Sequence, residues 1–514
     1  MQIQRPGAVP DNTPIIIGSG QFVERLGNET PPLNSPMHLA AKACQNALKD
    51  GGVQPGEIDA IATIRLFSDS PGTWKSEFGG STNPPESIAR RIGASPSKRI
   101  YSNVGGNEPL QLLLELMQAI AGGEIKSALL TGAEAIANQR YAVRHGIMLD
   151  WQEDIEASLD DRTPIDRLVS IEEIHAGFNL PVRFYGAIEM LQAHQMGHDL
   201  RQHERFMGRF MANFSEIAAQ NPYSQFSQAH SAHDITEASP RNYPISLPYL
   251  KRLIAQDAVN QAAAVLITSA GHARELGINP AQWIFLESFA HGADHALSQR
   301  EDPARSEAMK RVLLSTLSQA DQRMTDIDLI DIYSCFPCAV TAACEVLKLP
   351  TDGSIALTVT GGLPYFGGPG NNYSMHALAE MARRLRGDAD RALITANGGM
   401  LSKHAAALLT SVCTQAQKID WSDISNFEVD CSDIAIRQYA DNPQAGRIVT
   451  YTVATRKEKP DLGMIIADTA TGERFLATST DPAVTKELTA SNSIGRKIEA
   501  HTLEKRRGFH FATA

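Results

Sequence analysis

The chain has 514 residues, of which 43% are hydrophobic, 20% charged and 6% aromatic, the profile of an ordered globular protein of roughly two to four domains. Fifty-eight acidic against 47 basic residues leave a net charge of −11, so a nucleic-acid backbone or an anionic membrane surface would repel the chain as a whole. No apolar run approaches the ~20 residues of a bilayer crossing. The opening Met-Gln-Ile-Gln-Arg-Pro-Gly has no signal-peptide pattern, and six cysteines suit a reducing compartment, so the expected location is the cytoplasm.

Along the chain, Pro14-Ile-Ile-Ile-Gly18 reads as a strand and Met37 to Leu48 as an amphipathic helix. Glu57 to Ile64 and Ile100 to Val104 read as strands, Leu110 to Ile120 as a helix and Ser127 to Glu134 as a further strand. Strands alternating with helices predict a largely parallel, helix-covered sheet. The order then recurs. Ser306 to Ala320 is a helix leading into the strand Thr325 to Tyr333, and Arg391 to Gly399 answers Ser127 to Glu134. Asp59 to Thr131 spans 72 residues and Asp328 to Thr395 spans 67, which marks a duplicated α/β unit.

Residues 1–137 and 246–270 form the first half on this reading, and 271–420 the second. Between them, 138–245 is an inserted lid with helical patterns at Val182 to Met196 and Leu200 to Ala219. Short strands at Val449 to Ala454, Leu462 to Ala467 and Arg474 to Ala477 predict an additional β-barrel-like domain over 421–514.

Residues 12 to 412 resemble the thiolase superfamily, enzymes that make and break carbon–carbon bonds on acyl-CoA thioesters. Tyr249 to Ala270 resembles the strand closing the first thiolase half. Thr360-Gly-Gly-Leu-Pro-Tyr-Phe-Gly-Gly-Pro369 resembles the glycine-rich loop that carries a catalytic histidine. Ala396-Asn-Gly-Gly399 resembles the final loop that carries a second catalytic cysteine. The resemblance implies a duplicated thiolase fold, a CoA thioester as substrate or ligand, and no covalently bound cofactor. It also implies a dimer built on Ile100 to Val104, or a monomer if the extra C-terminal domain covers that edge. In this alignment the nucleophilic cysteine falls at Gly106 or its neighbour in Val104-Gly-Gly-Asn-Glu-Pro-Leu110, the histidine at Gly368 and the second cysteine at Ala396, and none of these side chains can do thiolase chemistry.

Asp331-Ile-Tyr-Ser-Cys-Phe-Pro-Cys338 is similar to the His-Asp-Cys-Phe loop of the sterol-carrier-protein type of thiolase, with Tyr333 in the histidine place and Cys335 retained. That resemblance, with the extra β domain, points to thiolase-like proteins that carry an additional C-terminal domain. The glycine-rich loop continues into Gly367-Gly-Pro-Gly-Asn-Asn-Tyr-Ser-Met-His376, and a helix beginning near Asn371 places His376 about one and a half turns in, where it can face the pocket. Cys335, His376 and Tyr333 are the candidate catalytic residues. Gly106, Asn107, Gly361, Gly362, Asn372, Asn397, Gly398, Gly399 and His404 are the candidate substrate-binding residues, the glycines through backbone N–H groups. His194, His198 and His203 have near-helical spacing without cysteine or carboxylate ligands at metal spacing, so no metal is expected. The leading expectation is acyl transfer from acyl-CoA, a step of lipid metabolism. Alternatives are a non-catalytic CoA-ester binder and a retro-aldolase using Tyr333, alone or with Tyr365 or Tyr373. A Cys335 thiol bonded to the His376 imidazole points to the enzyme, and separate burial points to the binder.

Overall fold

The computed structural model describes residues 9–27, 32–70, 75–162, 169–387, 389–412, 419–503 and 506–512. The N-terminal heptapeptide read for targeting lies outside the described residues.

Two sheets carry the duplication. The first has the order Pro14–Val23, Asn260–Ser269, Ser127–Ala135, Ala60–Thr63, Lys98–Tyr101 and Asp160–Asp161. The second has the order Phe285–Ala293, Lys403–Thr410, Arg391–Gly398 and Leu329–Asp331. In each, a parallel pair (Thr63 opposite Thr131; Asp331 opposite Ile394) continues into two antiparallel pairs. The periodicity seen in the sequence is thus a repeat of strand pairing.

Helices Glu108–Ala121 and Tyr373–Arg384 lie between the two sheets, which is why the first is apolar nearly all round, from Leu110 through Ile120. Helices Pro36–Gly51 and Pro84–Ile92 cover the outer face of the first sheet. Helices Glu307–Gln319 and Pro337–Leu347 cover that of the second. Ser35 starts the first of these by accepting from His38 N, and Gly52 ends it in the left-handed region at φ 68°. This layering leaves the loops after strands Lys98–Tyr101, Leu329–Asp331 and Arg391–Gly398 gathered in one place.

The insertion contributes helices Pro181–Gln195 and Leu200–Gln220, the latter opened by a reciprocal Asp199–Gln202 capping box. Its last segment departs from the boundary read in the sequence. Pro244–Ser246 and Tyr249–Leu250 pair with each other, and Ser246 pairs with Ala454 of the C-terminal domain, so the strand closing the first half begins only at Asn260. The C-terminal domain is a closed five-stranded barrel of Ala445–Ala454, Leu462–Asp468, Arg474–Ser479, Arg506–Phe511 and Lys497–Leu503. Closure removes free strand edges, and Ile448, Tyr451, Ile465, Phe475 and Leu488 fill its interior.

The edge expected to pair two copies is occupied. Ile100 and Tyr101 lie opposite Asp160 and Asp161, and Arg162 pins this short strand by two bonds to Glu115 at 2.5 and 2.6 Å. The cover comes from the insertion and not, as the sequence reading had it, from the C-terminal domain. A single-chain mass of 55.8 kDa is expected by light scattering, and a dimer of twice that mass would show that the edge is still available. Among the described residues no helix is long and apolar enough to cross a membrane.

Candidate functional site

The site is built from the loop Asn103 to Asn107, the loop Ile332 to Phe336, the glycine-rich segment Thr358 to Asn372 and the hairpin Gly398 to Ser402. Gly106 stands just ahead of helix Glu108–Ala121. A Cβ built on it would overlap the Tyr333 hydroxyl and lie 2.5 Å from the Asn397 carbonyl oxygen. The tyrosine side chain therefore fills the space that a nucleophile at 106 would need. Tyr333 is held by its backbone N–H, which donates to Thr395 Oγ1 at 2.9 Å, and by an edge-on contact with Tyr373. Its hydroxyl makes no hydrogen bond to the described residues, and burial pushes its pKa well up. The cavity bounded by Tyr333, Thr395, Asn397 and His404 holds only about 10 Å³.

Cys335 is buried on the other side of Asn397. Asn397 Nδ2 lies 3.7 Å from its sulfur and donates to Tyr185 Oη at 2.8 Å. Leu401 N donates to the same hydroxyl at 3.0 Å, and the Tyr185 ring stacks on Phe336 with centroids 4.2 Å apart. Burial pushes the Cys335 thiol up to about 12, against smaller lowering by the Tyr185 hydroxyl and the Phe336 N–H. Among the described residues, none of the groups that shift this thiol is a cation.

His376 is placed away from this thiol. Helix Tyr373–Arg384 begins two residues later than the reading from sequence put it, so the imidazole lies in the first turn. Its Nδ1 is 2.8 Å from Gln21 Oε1 of the first strand, and Phe366 lies edge-on to its ring. Its Nε2 has no partner among the described residues, and the ring is fully buried. His404 belongs to a third setting. Its Nε2 is 2.9 Å from Ser306 Oγ and 3.1 Å from the Leu401 carbonyl, while Ser306 donates to Asp294 at 2.7 Å. Burial depresses both imidazoles, to about 3 for His376 and about 4 for His404. Unfolding returns each to the ordinary value near 6.5, so the unfolded state binds the protons. The stability their neutral burial provides is complete above that value and is lost as the pH falls through the window below it. Urea titrations should show a slope of up to about 1.4 kcal/mol per pH unit for each histidine between about pH 6.5 and 4, reduced in His376→Asn.

The glycines act through conformation. Gly361 and Gly362 have φ of 109° and 79°, and a side chain would collide with Ala218 at the first and with Ser334 Oγ and Phe214 at the second. Their N–H groups already donate to Thr358 Oγ1 and Thr360 Oγ1. Gly398 lies against the Asn107 side chain, and Gly399 has φ of 62°. Besides the Tyr333 hydroxyl and His376 Nε2, three asparagine amides of the site carry unpartnered atoms. Asn107 Oδ1, Asn397 Oδ1 and both amide atoms of Asn372 are buried without a partner among the described residues. Asn372 occupies the N-cap position of helix Tyr373–Arg384 without making a side-chain capping bond and lies against Gly132, where only hydrogen fits.

Two residues that the sequence reading left without a role organise the site. Asp331 is fully buried and accepts from Val359 N, Thr358 Oγ1 and Tyr373 Oη at 2.9, 2.8 and 3.1 Å, which clamps the glycine-rich segment onto the strand before Tyr333. Burial raises its pKa to about 6 against these bonds. Tyr185 reaches in from the insertion and joins Cys335, Asn397 and Leu401. No group of three or more metal-ligating side chains occurs among the described residues.

Two α/β halves meeting at these four loops define a thiolase-fold protein in which the Tyr333 hydroxyl fills the side-chain space of Gly106. A family model described as the thiolase-like protein type 1 additional C-terminal domain matches residues 431–505. The crystal structure of a monomeric SCP2-thiolase-like protein type 1 from Mycobacterium smegmatis is 30% identical, with 98% of this chain and 100% of that one covered and a TM-score of 0.82. The chain belongs to the SCP2-thiolase-like proteins of type 1. The Ltp2-ChsH2(DUF35) aldolase shares the fold at 17% identity, covering 78% of this chain and 98% of that one at a TM-score of 0.56. The acetyl-CoA acetyltransferase of Syntrophomonas wolfei does so at 16%, covering 78% and 100% at 0.54. No curated protein sequence matches the chain.

Proposed function

We propose that the protein binds a CoA thioester in the thiolase cleft and holds it without taking the acyl group onto a thiol. The observation that carries this reading is the Tyr333 hydroxyl standing in the side-chain space of Gly106. Acyl transfer needs a thiolate within reach of a base. Here the retained Cys335 is bonded to Asn397 and Tyr185 and the buried imidazole of His376 to Gln21, so the two are separately engaged. The unpartnered amide groups of Asn372, Asn107 and Asn397 supply a donor and acceptors suited to a thioester or amide group. With about 10 Å³ beneath it, Tyr333 must swing aside for an acyl chain to enter.

Calorimetry and thermal shifts with acetyl-CoA and longer acyl-CoA esters should show binding, and Asn372→Ala should weaken it. No heat and no shift across several chain lengths would remove this reading. Intact mass after incubation should show no adduct. An acyl adduct present on the wild type and absent from Cys335→Ala would instead make the protein an acyltransferase with Cys335 as nucleophile.

A second reading rests on the unpartnered, protonated Tyr333 hydroxyl. It can donate to the oxygen of a developing enolate, as a retro-aldolase acting on a 3-hydroxyacyl thioester requires. Release of a ketone or aldehyde, abolished in Tyr333→Phe, would select it over the binder.

A further inference from the structure

A groove of about 680 Å³ lies on the insertion, between helix Leu200–Gln220 and the short helix Ala232–Thr236. Arg201, Arg205 and Arg209 line it at four-residue spacing, within about 80° of one another around the helix. The opposite face of that helix, with Met207, Phe210, Phe214 and Ala218, packs into the core and against Gly361 and Gly362. The groove is therefore on the far side of the helix from the thioester cleft. Glu204 pairs with Arg201 at 3.2 Å, and Glu237 lies 4.0 Å from His233. Arg205 and Arg209 have no ion-pair or hydrogen-bond partner among the described residues, although like charges four apart on a helix destabilise it. In a chain of net charge −11 this is a local excess of unneutralised guanidinium groups.

The groove is backed by a buried relay. His198, which lines it, has Nδ1 3.3 Å from His203 Nδ1, and His203 Nε2 lies 2.7 Å from Glu189 Oε1. Glu189 is fully buried and also accepts from Tyr249 Oη at 2.7 Å. The carboxylate fixes the proton of His203 on Nε2, so the contact between the two Nδ1 atoms takes its hydrogen from His198. The remaining His198 nitrogen then offers a lone pair to the groove. It becomes an N–H donor only when the His198–His203 pair gains one more proton. We propose that this groove binds a phosphate-bearing small anion through Arg205, Arg209 and His198, with uptake of a proton by the His198–His203 pair.

Burial, His203 and Arg209 hold the His198 pKa below its ordinary value, and Asp199 opposes them. The other charged or titratable groups around the groove are Arg201, Glu204 and Arg205 on the long helix, His233 on the short one and Glu237 just after it.

Inorganic pyrophosphate, titrated calorimetrically at low salt into the full chain, is the test. Binding should weaken at least tenfold in Arg205→Gln/Arg209→Gln, whose exposed side chains are not needed for folding. Heats in two buffers of different ionisation enthalpy should report close to one more proton taken up by wild type than by His198→Gln. A parallel titration with CoA distinguishes a free phosphate from a nucleotide one, since only a ligand held here is weakened by the double variant. Pyrophosphate binding that is absent from wild type, or equal in wild type and the double variant, would overturn the proposal. Neither result bears on thioester binding in the cleft.

Discussion

Gly106→Cys, which places a thiol where the resemblance to thiolases puts the nucleophile, is expected to destabilise the protein by about 2–3 kcal/mol without giving acyl transfer. The new Cβ would meet a backbone oxygen at 2.5 Å as well as the Tyr333 hydroxyl, and a backbone atom cannot turn aside as a flexible side chain can. Gly106 has an ordinary φ, so the expected loss comes from space and not from backbone strain. Tyr333→Ala alone leaves a hole beside Tyr373 and is expected to cost about 3–5 kcal/mol. Combined with Gly106→Cys it removes one of the two collisions. The double variant should therefore be more stable than the sum of the two single losses by 0.5 kcal/mol or more, on the scale of about 0.5–3 kcal/mol found for residues in contact. Strictly additive losses in urea unfolding would show that Tyr333 does not occupy the nucleophile space.

That mutual exclusion explains which parts of the site were legible in the sequence. The duplication was, because strand and helix periods are local and the spacing between matched strands is nearly equal in the two halves. Gly106 and Tyr333 were each legible as departures from a motif, yet that the two departures are one fact, a ring moved into a vacated space, required the fold to bring them together. His376 was read from its local glycine and asparagine context, and its Gln21 partner is 355 residues away. Tyr185 gave no signal at all, since a tyrosine in a helical pattern is ordinarily core. The same holds for the covered edge: Asp160–Asp161 is a two-residue strand of aspartates, a residue type that single-sequence propensity places outside strands. Chain order also misled at the barrel, where Pro244–Ser246 pairs with a barrel strand that lies some 200 residues further on.

Arg474→Met is expected to be among the most damaging single changes away from the cleft, at about 3–5 kcal/mol. Arg474 stands on a barrel strand and is wholly buried, unusual for an arginine. Its Nε donates to Asp468 at 2.6 Å, and its Nη1 donates to the carbonyls of Ser298 and Arg300 at 2.9 and 3.1 Å. Those carbonyls belong to the second thiolase half, so one guanidinium joins the barrel to the core. Nearby, Ser298 N and Oγ both donate to the buried Glu173 of the insertion at 2.8 Å, and Tyr439 Oη bridges Ser298 and Ser170. Methionine fills much of the volume but leaves two buried carbonyls unpaired and the Asp468 carboxylate without its cation. Because the insertion also lends Ser246 to the barrel sheet, the barrel cannot detach alone, and the variant should unfold in one transition displaced to lower urea. A separate early transition confined to barrel residues by hydrogen exchange would mean that the additional domain is an appendage. A single displaced transition would mean that barrel, insertion and second half share one stability, so the extra domain helps to hold the loops that frame Tyr333.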